Sequence, residues 1–438
     1  MAEPTFPVTY EQEAIWLHDR RDPAASIYLE SWVCRLRGAV DTGAVEWAIG
    51  QIVARHPALH SGFEFDGEQI VQIVHKDHAV AVERLPLNPD QDLDGVLERL
   101  VRRPLDVRVA PLRATLLELA PDDVAVVIQL HHLVVDDWAV GILEREFQEF
   151  YCARITGRPA RLAALPLLPG EYAAAQRAAG VDPALVAYWR ERLRDAPAES
   201  TVPADRPPPE RPSSQGGLIQ FQIDAALAGR LRSMARRSRV TPFTLLAAAV
   251  TVLLYAYNGS PDQVLGAIVS RRGAAGLDQM ITYVASLMPL RQQVGADEGF
   301  GALVASTKQV VTDTVAHRDV PFSNIVRDLG GPRKLSRPPL CQVVLVVDDV
   351  PRPPLDLPGV TTERLPVHQG IAKVDLGIFL VKDGDCYQGR LVYASDLFRP
   401  RTAQQVAADF CALLAAGVAQ PDVALADVIA EAMANPSS

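Results

Sequence analysis

Val124-Ala125-Val126-Val127-Ile128-Gln129-Leu130-His131-His132-Leu133-Val134-Val135-Asp136-Asp137-Trp138 is the stretch from which the fold is read. Its first five residues are apolar and mostly β-branched, the composition of a buried strand. Beyond Trp138, Ala139-Val140-Gly141-Ile142-Leu143 leads into Glu144 to Phe150, which has helical spacing. Two adjacent histidines, His131 and His132, therefore stand where a buried strand ends and a helix is about to begin. Successive residues of a regular strand point to opposite faces, so the two imidazoles cannot share one cavity. One is expected to be structural and the other to face whatever the strand end borders. Histidine is the side chain best suited to moving protons near neutral pH. A plainer alternative is open at this point: both histidines are satisfied core or turn residues, and Asp136 or Asp137 is a helix N-cap. A metal centre has less to support it, because no third ligand stands at a suggestive spacing.

The chain has 438 residues, enough for about two to three domains. Apolar residues at 48% and charged residues at 22% are globular values. The 43 basic against 53 acidic side chains leave a net charge of −10, which argues against nucleic acid or an anionic membrane as partner. Met1-Ala2-Glu3-Pro4 has neither the basic nor the apolar segment of a secretion signal. The longest apolar run, Leu245 to Tyr257, is too short to span a bilayer. The five cysteines are odd in number and without CxxC spacing, so a reducing cytoplasm with no disulfide framework and no zinc site is expected.

Along the chain, Thr9 and Gln12 form the pattern of a capping box for a helix over Tyr10 to Trp16. Tyr28 to Leu36 alternates as a strand. Asp41 caps a helix with Val45, Ala48, Ile49, Ile52 and Val53 on one face, ending at His56-Pro57. Strands are expected over Leu59 to Phe65 and Gln69 to Val74, and a helix over Asp92 to Val101. Leu112 to Leu119 and Val124 to Leu130 flank Pro121-Asp122-Asp123 and read as a hairpin that carries the histidines. From about Thr156 to Gly217 the chain is broken by Gly157, Pro159, Pro166 and Pro169. There it holds one helix, Pro183 to Leu193, and then a proline-rich connector over Pro203 to Ser214. A strand over Leu218 to Ile223, a helix over Ala225 to Arg237 and an apolar helix from Thr241-Pro242 to Tyr257 follow. A strand over Val264 to Val269 runs into Ser270-Arg271-Arg272-Gly273. Mixed strands and helices of these lengths indicate an α/β sandwich.

His131-His132-Leu-Val-Val-Asp136-Asp137 resembles the HHxxxDG motif of nonribosomal peptide synthetase condensation domains, and more distantly the HxxxD motif of chloramphenicol acetyltransferase-like acyltransferases. Other segments resemble that family in its order. Val8 to Trp16 looks like its opening motif, and Arg55-His56-Pro57-Ala58-Leu59-His60 like its RHxxLR. Tyr283 to Arg291, His317 to Phe322, Pro339 to Leu345, Ala372 to Leu376 and Leu391 to Phe398 match its later motifs. Packing alone also accounts for any single match, such as Trp16 as a core aromatic. The chain departs from the pattern at His60 for arginine, Asp137 for glycine and Ser286 for asparagine.

The resemblance implies two chloramphenicol acetyltransferase-like lobes in a V-shaped pseudodimer with an active-site tunnel between them. It places an N-terminal lobe at 1–175, an inter-lobe helix and connector at 176–217, and a C-terminal lobe at 218–438. It implies acyl transfer from a carrier-protein thioester, held on a phosphopantetheine arm, to a small-molecule amine or alcohol, with no bound cofactor. Carrier proteins are the implied partners. His132 is the implied catalytic residue, as base or as positioner of the nucleophile. His131, Trp138 and Ser286 support it. Asp136 is implied to form a buried ion pair with an arginine of the second lobe, Arg272 or else Arg271. Asp137 either faces the tunnel, where it would act on His132 and attract a cationic amine, or caps the helix. Two other functions fit the same residues: an acyl-CoA-dependent acyltransferase, and a non-catalytic platform that recruits a tailoring enzyme. In such platforms an aspartate follows the motif's aspartate, but arginine usually stands where His132 does. No carrier, adenylation or nucleotide-binding segment is left over, so a free-standing protein or an excised domain is expected.

Overall fold

The computed structural model of the chain describes residues 3–20, 27–76, 80–88, 90–273, 276–330, 337–349 and 352–434. Met1 and Ala2, the first residues of the segment read for a secretion signal, lie outside them. The chain divides into two compact units, and the division differs from a cut near 175 and 217. The first unit combines Met1–Gly180 with Ser270–Ala285 and Arg352–Gln369. The second combines Val181–Val269, Ser286–Pro351 and Gly370–Ser438. Arg271 and Arg272 therefore belong to the same unit as the histidines, not to the second lobe.

The first unit is built on a five-stranded sheet in the order Val360–Arg364, Leu29–Gly38, Asp123–His131, Leu112–Ala120, Val82–Pro86. All neighbours are antiparallel except the last pair. The central strand Asp123–His131 is buried on both faces. Val124, Val126, Ile128 and Leu130 pack against the helices Thr42–Arg55 and Asp137–Thr156. Ala125 and Val127 pack against Leu93–Val101. That two-sided burial is the physical reason for the unbroken apolar run, which lacks the alternation of a half-exposed strand. The capping box holds: the Gln12 N–H donates to Thr9 Oγ1 at 3.1 Å and the Thr9 N–H to Gln12 Oε1 at 2.9 Å. A smaller antiparallel sheet joins Thr5–Pro7, Ile70–Val74 and Ser61–Phe65.

Two local expectations change, and one strand is new. Residues Pro57–His60 form a 3-10 turn, so that strand begins only at Ser61. Pro169 starts a helix, Pro169–Ala179, at the one helical position where its missing N–H costs nothing. Val360–Arg364 is a strand whose partner, Leu29–Gly38, is distant in sequence, so no local pattern marked it.

The second unit has a six-stranded sheet in the order Ala285–Gln293, Asp262–Ser270, Val343–Asp348, Leu376–Asp383, Cys386–Ala394, Gly216–Ile223. Its core takes in the helices Ala225–Ser238, Pro242–Asn258, Phe300–Ala316 and Pro400–Ala419. Pro242–Asn258 is apolar nearly all round because it is enclosed on all sides, with Leu245 to Leu254 buried. Pro400–Ala419 is long and apolar enough to cross a membrane by length and composition. Its Phe410, Leu413 and Leu414 are buried within this core. Each unit is thus an α/β layered structure with helices packed on a mixed or antiparallel sheet. All five cysteines are free.

Candidate active site

The histidines are placed by sheet register. In the ladder between Leu29–Gly38 and Asp123–His131, Leu29 stands opposite His131 and Glu30 opposite Leu130. The His132 N–H donates to the Tyr28 carbonyl at 2.7 Å, one step past the last paired residue. A turn closes at once, with the Val134 N–H on the His131 carbonyl at 2.9 Å. Gln12 fixes that turn from outside, its Nε2 donating to the Leu133 carbonyl at 2.7 Å. The glutamine of the opening motif thus ties the capped first helix to the histidine turn.

The two rings have different surroundings. The His131 side chain is 3% exposed and that of His132 is 16% exposed. His131 Nδ1 accepts the Leu133 N–H at 3.2 Å, so its neutral form carries hydrogen on Nε2, which lies 3.6 Å from Asp19 Oδ2. His132 Nδ1 lies 3.0 Å from the Val135 carbonyl oxygen. Its Nε2 lies 2.6 Å from Glu30 Oε1. Tyr28 and Tyr283 meet the His132 ring edge to face, at centroid separations of 6.3 and 5.7 Å. Burial pushes the Tyr283 hydroxyl far above the ordinary tyrosine range, so it stays protonated.

Asp136 does not face an open site. Its Oδ1 accepts the Ala139 N–H at 2.9 Å, capping the Asp137–Thr156 helix, and also binds Arg272 Nη2 at 2.8 Å. Its Oδ2 accepts the Val284 N–H at 3.3 Å. Arg272 further donates to the carbonyls of Leu277, Met280 and Thr282, which gathers this loop around one guanidinium. Arg271 is engaged elsewhere, 2.9 Å from Glu11 Oε1.

Asp137 occupies the first helical position, so the cap is Asp136. Its side chain is exposed to solvent, yet enough protein lies around it to hold its carboxyl above the ordinary range. The Glu30 carboxylate adds to that push, while Arg352 and His132 oppose it. The Asp137 carbonyl accepts from Arg352 at 3.1 Å. Trp138 is 45% exposed, and its indole N–H donates to the Asp278 carbonyl at 3.1 Å. Ser286 belongs to the second unit, is 2% exposed, and its Oγ has no hydrogen-bond partner among the described residues. Among the described residues no cluster of His, Cys, Asp or Glu is arranged to hold a metal.

Sequence reasoning did not single out Glu30 or Arg352. Glu30 carries a usable signal only once strand pairing is known. It faces Leu130, and His132, two residues on, is its diagonal neighbour on the same face. Arg352 reaches the site from a distant segment and leaves no local trace.

The Condensation domain family model matches residues 2–432 of this chain. Phosphinothricin tripeptide synthetase PhsC of Streptomyces viridochromogenes is 32% identical over 425 residues, which is 94% of this chain and 39% of the synthetase. The chain spans between 6% and 39% of the length of the first curated relatives it matches. The X-domain from teicoplanin biosynthesis, in its complex with OxyB, is 28% identical, with a TM-score of 0.87 over 98% of this chain and 96% of that one. The first condensation domain of the calcium-dependent antibiotic synthetase, with a substrate analogue, shares the fold at a TM-score of 0.82 and 19% identity, over 97% of this chain and 99% of that one. With the family's motif at a strand end and its aspartate locked behind it, this chain belongs to the condensation domain family and is homologous to those of nonribosomal peptide synthetases.

Proposed function

We propose that this condensation domain joins an acyl group, delivered as a thioester on the phosphopantetheine arm of a carrier protein, to an amine or alcohol acceptor in natural-product biosynthesis in the cytoplasm. The observation that carries this reading is the division of labour at the motif. His131 is buried and Asp136 is locked to Arg272, while His132 keeps an exposed edge. His132 is the residue that meets the acceptor. Asp136 and Arg272 are positioning residues that hold the turn on which His132 stands.

For an amine acceptor a C–N bond forms and the C–S bond breaks. The nitrogen gives up one proton and the departing thiolate takes one, so the reaction needs neither oxidant nor metal. Much of the rate in such a transfer comes from holding two substrates together, worth up to about 7–11 kcal/mol in well-oriented systems. The free-thioester variant of this reading has acyl-CoA as donor. The second reading, a platform for a tailoring enzyme, draws on the 28% identity to an X-domain solved in complex with OxyB and on Asp137 after the motif aspartate. The histidine at 132 favours catalysis. One reconstitution separates these readings. Carrier-bound and CoA-bound acyl donors are offered with amine and alcohol acceptors, and products are read by mass spectrometry. Product from the carrier-bound donor supports the proposal, product only from CoA favours the free-thioester variant, and no product with any donor favours the platform.

A further inference from the structure

Both ring nitrogens of His132 face acceptor atoms. The Val135 carbonyl, 3.0 Å from Nδ1, can only accept, so Nδ1 carries a hydrogen. That leaves Nε2 as the atom with chemistry to offer, and it lies 2.6 Å from Glu30 Oε1. Two lone pairs do not approach so closely, so one proton lies between them. Either imidazolium donates to carboxylate, or a protonated Glu30 donates to a neutral ring; in both cases the Nε2 lone pair is occupied. The contact follows from the fold. Glu30 pairs with Leu130, and His132 is the next residue on that face. The ring is further bounded by Tyr28 and Tyr283, with Asp137 and Arg352 the nearby charges.

We propose that Glu30 is a specificity-determining residue of this site: by occupying Nε2 of His132 it withholds the base that an alcohol acceptor requires and leaves the site to amines. This rests on the condensation reading above. A neutral amine attacks a thioester before losing its proton and asks of the dyad only a hydrogen-bond acceptor, which a carboxylate supplies. An alcohol is a weak nucleophile until a base begins to remove its proton as it attacks, and its rate falls when the imidazole lone pair is taken and only a carboxylate, ordinarily a weaker base, is left to do so.

The test compares one amine and the alcohol of the same carbon skeleton, offered with the same carrier-bound acyl thioesters, in wild type, Glu30→Ala and Glu30→Gln. Glu30 is partly exposed, so neither change opens a core cavity. Alanine frees Nε2, and the amine-to-alcohol ratio of kcat/KM should fall by at least about tenfold, a fraction of the roughly hundredfold or more that a general base typically contributes. Glutamine can donate its amide N–H to Nε2 and should stay near the wild-type ratio. An unchanged ratio in Glu30→Ala, with both acceptors turned over, overturns the proposal. No turnover in any of the three proteins overturns the condensation reading together with acceptor selection. In parallel, 15N NMR of labelled His132 at neutral pH reads the contact independently of turnover. A slowly exchanging, downfield proton shared by Nε2 is expected in wild type and absent in Glu30→Ala. A bare Nε2 in wild type contradicts the contact itself.

Discussion

Arg272 Nη2 and Asp136 Oδ1 are 136 positions apart in sequence and 2.8 Å apart in space, with side chains 3% and 7% exposed. The pair couples the start of the Asp137–Thr156 helix to the loop that carries Tyr283. A buried pair broken on one side costs roughly 3–5 kcal/mol, because the survivor stays buried and uncompensated. Asp136→Ala also removes a helix cap, worth about 1 kcal/mol more. In urea unfolding both single variants should be strongly destabilised, Arg272→Ala because it also strips a donor from the carbonyls of Leu277, Met280 and Thr282, with Asp136→Asn milder than Asp136→Ala because it keeps a cap, and Asp136→Ala/Arg272→Ala less destabilised than the sum. Strict additivity would show that the two side chains do not act as a unit.

Asp137 gives a pH test. Its folded carboxyl is pushed up by its protein surroundings and then by Glu30, so the native state binds its proton more tightly than the unfolded chain does. That contribution is present at low pH and is lost as pH rises through the raised value. Asp137→Asn should then have a slightly higher Tm than wild type at pH 7, small because water screens an exposed carboxylate, with the gap closing below about pH 4, near the ordinary carboxylate value. Were the charge at this first-turn position favourable through the helix dipole, the sign at pH 7 would reverse.

Asp375 of the second unit offers the same logic in a core setting. It is 2% exposed, and burial raises its carboxyl to about 6, against the pull of Arg337 at 3.3 Å and with a further push from Glu199. Its stabilising contribution is complete below the ordinary value and lost as pH climbs through about 6. At about 1.4 kcal/mol per pH unit, that is roughly 3 kcal/mol across the window. The stability of Asp375→Asn relative to wild type should rise between pH 4 and pH 7 in paired urea titrations. A pH-independent difference would mean that Asp375 titrates in the native state as it does unfolded.

The parts of this molecule governed by neighbours in sequence were legible in it. Thr9 with Gln12, Asp41 before its apolar stripe, Thr241 before Pro242, and the two-sided apolar run at Val124 to Ile128 each encode their element within a few residues. What depends on pairing at a distance was not legible. The strand Val360–Arg364 exists because Leu29–Gly38 offers it an edge. Glu30 reaches His132 only through the register of two strands. The choice between Arg271 and Arg272 turns on Glu11, which takes the first and leaves Asp136 to the second. Pro169 has the sequence character of a breaker, and a first helical turn accommodates it.

The measurement closest to the central claim is single-turnover acyl transfer by His132→Ala, with thermal unfolding of the same sample. His132 is partly exposed and the turn beneath it is held by Gln12, Asp136 and Arg272, so the variant should fold with a Tm close to wild type. Its rate with a carrier-bound donor and an amine acceptor should fall by about a hundredfold, the scale expected when the His132–Glu30 pair that holds the acceptor is taken apart and the reacting group is no longer held in place. A well-folded His132→Ala that transfers at the wild-type rate would contradict the account, and would place the chemistry, or the purpose of the fold, elsewhere.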